Sequence, residues 1–218
     1  ELSSLAEWSN TRDAVRNLQL QLKSKPSDIK IKLLLIQAYI QEGRVTGNHA
    51  YYDAIAFKLV NEILKDDPSH FEALCCMATL QASAHQFSEA LITSDIAIKI
   101  NPFNSYIYGV KCDALTELGK YKEAIATADK MVSIRPDLRS YSRIAYLREI
   151  HGYYDGATEA MKLALSSGFP GAEQTEWVRV QLGNLYKKTG QSDLAELQFR
   201  ESLIHRPLFA PALSDRKS

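Results

Sequence analysis

The chain has 218 residues, of which 45% are apolar and 24% are charged, which is ordinary for a folded protein. Lys plus Arg number 26 and Asp plus Glu also number 26, so the net charge is zero. Proteins that bind nucleic acid or anionic membranes usually carry a basic excess, and no apolar run approaches the roughly 18 residues of a membrane-spanning helix. The sequence therefore argues against a nucleic-acid partner and against a membrane span.

Three cysteines are present: Cys75 and Cys76 are adjacent, and Cys112 is separate. An odd number of cysteines without CxxC spacing is typical of neither a disulfide framework nor a zinc site. Free cysteine packs as a small apolar residue, so we expect all three in the core.

Small and rigid residues recur along the chain at a spacing of 34 residues. Two sets share this spacing: Pro68, Pro102 and Pro136, and Ala56, Ala90 and Ala124. Self-similarity at a fixed period of this length indicates a solenoid of repeated supersecondary units.

In chain order, the pattern predicts a lone helix over about 10–28, then five repeats, then the start of a further helix or a tail over 210–218. Each repeat holds two amphipathic helices. The five repeats span about 29–70, 71–104, 105–137, 138–175 and 176–209.

The third repeat shows what the recurring residues do. Gly119 follows the first helix, because glycine adopts the left-handed conformation of a helix cap without steric penalty. Ala124 is expected where the two helices cross closely, and Pro136 is expected to end the second helix.

The last repeat carries the clearest family signature, which consists of Leu182, Gly183, Tyr186, Gly190, Ala195, Phe199 and Pro207. In order and spacing these residues resemble the tetratricopeptide repeat (TPR), and the resemblance covers nearly the whole chain. It implies an all-α fold, a right-handed α-solenoid of antiparallel helix pairs, in a single domain over 1–218. In three repeats Cys112, Ala78 and Ala145 replace the first-helix glycine.

Several phrases of the sequence also resemble an uncharacterised bacterial subgroup of these proteins, whose members often carry export signals. For a soluble protein of this kind, an exported or periplasmic location is therefore favoured over a cytoplasmic one.

The resemblance implies a concave groove lined by the first helices of the repeats. Carried onto this chain, the inward-facing positions are small in the first two repeats and rich in Tyr, Trp and Arg in the last three. Tyr, Trp and Arg are the residue types enriched at binding hot spots. The predicted contacts for a peptide or protein segment are Tyr106, Asp113, Arg139, Tyr146, Trp177, Asn184 and Lys187. Packing of some of them against a neighbouring helix is the alternative.

Two insertions interrupt the period, at 44–52 and at 166–176, and both are expected to form loops. His49 and Asp53 are expected to be close together in the first one, but two potential ligands do not predict a metal site.

No catalytic or cofactor-binding motif is found, so the sequence predicts a non-catalytic binding scaffold without a cofactor. Two alternatives stay open. One is a scaffold that self-associates through its C-terminal end, where Phe209 and Leu213 are apolar. The other is the regulatory arm of an enzyme.

Overall fold

The computed structural model describes the backbone of residues 3–217 and the side chains of 12–44 and 46–215. Within that range the chain forms twelve helices and no strand. The helices are α1 (Ser3–Ser24), α2 (Ile29–Thr46), α3 (His49–Asp66), α4 (Phe71–Ser83), α5 (Phe87–Ile100), α6 (Ser105–Glu117), α7 (Tyr121–Ile134), α8 (Leu138–Ile150), α9 (Tyr154–Ser166), α10 (Glu173–Lys188), α11 (Ser192–His205) and α12 (Ala210–Lys217). No helix in these ranges is long and apolar enough to cross a lipid bilayer.

The chain divides into two compact units. Unit 1 is Glu1–Lys120, with α1 to α6, and unit 2 is Tyr121–Ser218, with α7 to α12. In each unit, successive helices joined by short turns pack against one another. The prediction of a single domain over the whole chain stays a prediction.

Most first helices begin at or near a residue where a repeat was predicted to start, but the N-terminal helix does not. The first helices of four repeats begin at the predicted residues Ile29, Phe71, Ser105 and Leu138. The fifth begins at Glu173, three residues before the predicted start at Glu176. The lone N-terminal helix begins at Ser3, well before the predicted residue 10.

The core of unit 1 comes from the inward faces of these helix pairs. One cluster centres on the fully buried Leu35, Ile36 and Val60, and a second centres on Ala78 and Ile107. The prediction for the cysteines is confirmed, because Cys75, Cys76 and Cys112 are all buried and free.

The turn after the first helix of a repeat is built around one left-handed residue. Gly119 has φ 71°, and Gly152 and Gly190 have similar values. In the second repeat this residue is His85, with φ 59°, a conformation that side-chain-bearing residues seldom adopt. The amide of the following Gln86 still bonds to the Gln81 carbonyl at 2.8 Å, so the cap forms without a glycine.

The small residues sit where helices approach closely. Ala90, Ala124 and Ala157 have no exposed surface, as expected for the crossing position. Gly183 lies on α10 against Phe199 of α11, and a Cβ at this glycine would be 2.5 Å from the Phe199 ring.

The first insertion does not form the loop that the sequence analysis predicted for 44–52. Only Gly47 and Asn48 lie between α2 and α3, and each of these helices has 18 residues instead of the 13 and 14 of α4 and α5. The added residues lengthen both helices because they contain no proline, and because the close approach of the helices at Gly43 keeps them paired. A Cβ on Gly43 would lie 3.3 Å from the Asp53 carboxylate.

The second insertion does form a loop, between the end of α9 at Ser166 and the start of α10 at Glu173. Gly171 takes up a left-handed conformation in this loop, with φ 84°. The loop is held by buried side chains: Gly171 donates its amide to Glu176, and its carbonyl accepts from Arg206 at 3.1 Å. Glu176 also pairs with Arg179 at 3.0 Å and lies 3.2 Å from the His205 ring. The insertion is therefore a fixed part of unit 2.

Candidate functional site

Five of the seven predicted contact residues lie in unit 2, on α8 and α10. Arg139 and Tyr146 are seven residues apart on α8, and Trp177 and Asn184 are seven residues apart on α10, so each pair shares one helix face. Tyr146 is 48% exposed and Trp177 is 43% exposed. We call the surface formed by Arg139, Tyr146, Trp177, Asn184 and Lys187 the first-helix face of unit 2.

Two side-chain links join α8 to α10 across this face. Near the beginning of both helices, Arg139 Nε donates to Gln174 Oε1 at 3.3 Å. Near their ends, Lys188 forms a salt bridge with Glu149. The beginning of α8 is linked to the beginning of α10, and the end of α8 is linked to the end of α10. The two helices therefore run in the same direction. Along α8, Tyr146 lies between the two linked residues of that helix. Along α10, Trp177 does the same.

The C-terminal half of the face contains a pocket of about 350 Å³. Both acidic and basic side chains line it, together with two amides: Glu149, Gln181, Asn184, Lys187 and Lys188. The hydrogen bond to Glu149 raises the pKa of Lys188 above its ordinary value. The pocket therefore offers mixed charge, with two lysines against one glutamate.

Two of the predicted contacts are already engaged by the last helix of the chain. Asn184 Nδ2 donates to Asp215 Oδ2 at 2.9 Å, and Lys187 Nζ lies 3.5 Å from the Asp215 backbone carbonyl. Helix α12 thus lies beside the polar end of the face, while Tyr146 and Trp177 keep much of their surface exposed.

Tyr106 and Asp113, the other two predicted contacts, lie on α6 in unit 1. They are seven residues apart and share a helix face. The Tyr106 hydroxyl, 2.7 Å from Thr79 Oγ1, connects α6 to α4, and the ring is 37% exposed. Their use as contacts stays a prediction.

His49 and Asp53 do lie close together, as expected from the first insertion. His49 Nδ1 is 3.4 Å from Asp53 Oδ2, and Ser83 Oγ donates to the same carboxylate oxygen at 2.8 Å. Ser83 also contacts His49 through Nδ1, at 3.2 Å. A nucleophilic serine needs the histidine nitrogen opposite to the one that meets the carboxylate, so this arrangement does not activate Ser83. Among the described side chains, no group of three His, Cys, Asp or Glu could hold a metal ion.

The C-terminal end differs in part from the expectation. The predicted further helix is present as α12, but Phe209 is only 5% exposed and packs into the core of unit 2 with Ala212. Phe209 is therefore not available for self-association, because its ring completes the core beneath α10 and α11. Leu208 and Leu213 do present apolar surface, with 80% and 37% exposure.

The chain shares its fold with solved structures of repeat proteins. A TPR protein from Thermus thermophilus matches 84% of this chain and 97% of its own, with a TM-score of 0.71 and 21% identity. A tetratricopeptide repeat protein from Parabacteroides merdae matches 97% of this chain and 79% of its own, with a TM-score of 0.76 and 18% identity. This chain has the tetratricopeptide repeat fold. The predicted fold class, an all-α solenoid of antiparallel helix pairs, is thereby confirmed.

Two further comparisons are with a solved structure and with a sequence relative, and both of these proteins are described as containing TPRs. YrrB, described as a TPR protein with an unusual peptide-binding site, matches 94% of this chain and all of its own, with a TM-score of 0.54 and 15% identity. In sequence, the chain is 32% identical over 97 residues to the yeast (Saccharomyces cerevisiae) small glutamine-rich tetratricopeptide repeat-containing protein 2. That match covers 44% of this chain and only 28% of the yeast protein. No family model matches the chain.

Proposed function

We propose that this protein is a non-catalytic scaffold that binds a peptide or protein segment on the first-helix face of unit 2. The observation that carries the proposal is the exposure of Tyr146 and Trp177 on two parallel helices that side-chain links join near both ends. Aromatic side chains bury large apolar areas at low conformational cost, and Tyr and Trp dominate binding hot spots.

The linked helices favour binding because they limit the entropy lost on association. Arg139–Gln174 and Glu149–Lys188 restrain the relative positions of α8 and α10, so Tyr146 and Trp177 are partly pre-organised. A partner segment would place apolar side chains on these two rings. Its polar groups would meet the mixed-charge pocket beside Asn184 and Lys187.

The fold gives independent support, because the first helices of a TPR array form its ligand-facing side. YrrB, which shares the fold, is described as having a peptide-binding site. Tyr106 and Asp113 are proposed as contacts on unit 1 itself.

The test uses the fluorescence of Trp177. The chain has two tryptophans, so a Trp8→Phe variant leaves Trp177 as the only one. Peptides are selected from a random display library on the whole chain and then titrated against this variant. The proposal expects a selected peptide to shift the Trp177 emission and to protect the ring from acrylamide quenching. Selected peptides that bind tightly but leave Trp177 fully open to quencher would overturn it.

A further inference from the structure

A second pocket lies in unit 1, far along the sequence from the first-helix face of unit 2. It has a volume of about 210 Å³ and is formed by α1, α2 and the start of α3. Its lining combines one acidic, two basic and three aromatic side chains: Glu42, Arg12, Arg16, Tyr39, Tyr51 and Tyr52. Ligand pockets for drug-sized molecules begin at roughly 300 Å³, so an occupant of this pocket would be smaller.

Glu42 is the chemically unusual member of this lining. Glu42 is only 2% exposed, and its Oε2 has no hydrogen-bond partner among the described residues. Burial and the neighbouring Glu42 carboxylate raise the pKa of Tyr52. A buried acceptor left unsatisfied is destabilising, so the site is suited to a ligand that brings a hydrogen-bond donor.

The three tyrosines form a continuous aromatic wall beside this carboxylate. The Tyr39 and Tyr52 ring centroids are 6.0 Å apart, and Tyr51 meets Tyr52 edge to face at 5.1 Å. The Tyr39 hydroxyl is fixed by a 2.8 Å hydrogen bond from Gln19. Aromatic faces next to a carboxylate stabilise a cationic nitrogen.

Two positive charges belong to the same pocket. Arg12 and Arg16 are one turn apart on α1 and are exposed, and the described residues show no ion pair between either of them and Glu42. Guanidinium groups oppose a ligand that carries only positive charge, but they bind carboxylates well. The lining therefore matches a ligand with both charges close together.

We propose that this pocket binds a free α-amino acid. The ammonium group meets Glu42 and the tyrosine wall, and the carboxylate meets Arg12 and Arg16. The small volume accommodates a single amino acid and excludes a folded peptide. This site is separate from the proposed peptide-binding face, so the outcome for either leaves the other unaffected.

The experiment is isothermal titration calorimetry of the whole chain with each of the standard amino acids at millimolar concentration. Every amino acid that binds is then compared with its decarboxylated amine and its deaminated carboxylic acid. We expect one-to-one binding of at least one amino acid, with both analogues weaker by about tenfold or more, since each lacks one charge-assisted contact. Absence of binding by every amino acid, or an amine that binds as well as its parent, would overturn the proposal.

Two variants identify the site. Glu42→Gln keeps the side-chain size and should lower the affinity for the amino acid by about tenfold or more. The double variant Arg12→Gln/Arg16→Gln changes only exposed residues and should also weaken it, with the melting temperature preserved. If Glu42→Gln fails to fold, the double variant decides, and unchanged affinity in it would contradict the proposed carboxylate contact.

Discussion

Glu176 and Gly171 join the second insertion to the interior of unit 2: the Gly171 amide donates to Glu176 Oε1 at 2.8 Å, and Glu176 has no exposed surface. A buried carboxylate is stable only with partners, and here Arg179 supplies a charged one at 3.0 Å. The carboxylate thus fixes the loop before α10 and the side chain of Arg179 together.

We predict that Glu176→Ala strongly destabilises the protein. The change removes the acceptor of the buried Gly171 amide and one of the two carboxylates that pair with Arg179, the other being Glu201. Breaking a buried pair typically costs about 3–5 kcal/mol, and the remaining Glu201 places the expected loss at the lower end of this range. The free energy of unfolding, measured by urea denaturation, should fall by an amount of this order. Glu159→Ala is the matched control, because Glu159 pairs with Lys162 on the exposed surface of α9. It should change the free energy by less than about 1 kcal/mol. Similar losses in the two variants would show that the buried network does not stabilise unit 2.

The repeat boundaries were predictable from sequence because each depends on a local backbone requirement. Gly119 and Gly190 occupy left-handed caps, and Pro136 follows the end of α7. These requirements are set by single residues, so their spacing identifies them without any knowledge of distant contacts.

The insertions and the charged interior were not predictable in the same way. The extra residues at 44–52 extend two helices that pack closely against each other at Gly43, and the pairing of Glu176 with Arg179 and His205 joins α10 to the end of α11. Glu176 lies near the beginning of α10, where acidic residues are usually exposed, so the sequence gave no indication that it is buried. The burial of Glu42 was not predicted either, because it also depends on contacts between helices. The position of Glu42 three residues after Tyr39, on an otherwise apolar helix face, was a signal that could have indicated it.

We predict opposite effects from two glycine-to-alanine changes in helices of unit 2. Gly183→Ala should destabilise the protein by about 1–3 kcal/mol, because the new Cβ would lie 2.5 Å from Phe199 in a packed crossing. Gly156→Ala places its Cβ 3.3 Å from the Arg148 side chain, which donates to the Gly156 carbonyl at 2.8 Å and must shift by a few tenths of an ångström. The better helix propensity of alanine should still raise stability by up to about 1 kcal/mol. Thermal unfolding of both variants checks the prediction. A Gly183→Ala protein as stable as the parent would refute the close crossing of α10 and α11.

We predict that Cys75 and Cys76 do not react with thiol reagents in the folded protein. Burial raises the pKa of each thiol to about 12, so almost no thiolate is present at pH 8. Titration with a chromogenic disulfide should detect them only after denaturant is added. Rapid modification without denaturant would show that α4 opens readily.

We predict that ionisation of the same two thiols lowers the free energy of unfolding at alkaline pH. Their pKa in the folded protein is above the ordinary value of 9.0, so the unfolded chain ionises first as the pH rises. Their contribution is complete below pH 9 and decreases between pH 9 and pH 12. A Cys75→Ala/Cys76→Ala variant should show a smaller decrease in the free energy of unfolding across this interval. An equal decrease in parent and variant would assign the alkaline loss to other groups.

The most direct test of the proposed function is the dissociation constant of one library-selected peptide for the parent and three single variants. Trp177→Ala and Tyr146→Ala should each weaken binding by about thirtyfold, equivalent to about 2 kcal/mol, with unchanged helical content. Tyr153→Ala is the control, since Tyr153 is an even more exposed aromatic, at 69%, in the turn before α9, and this variant should bind as the parent does. Parent-like affinity in both the Trp177 and Tyr146 variants would contradict binding on the first-helix face of unit 2.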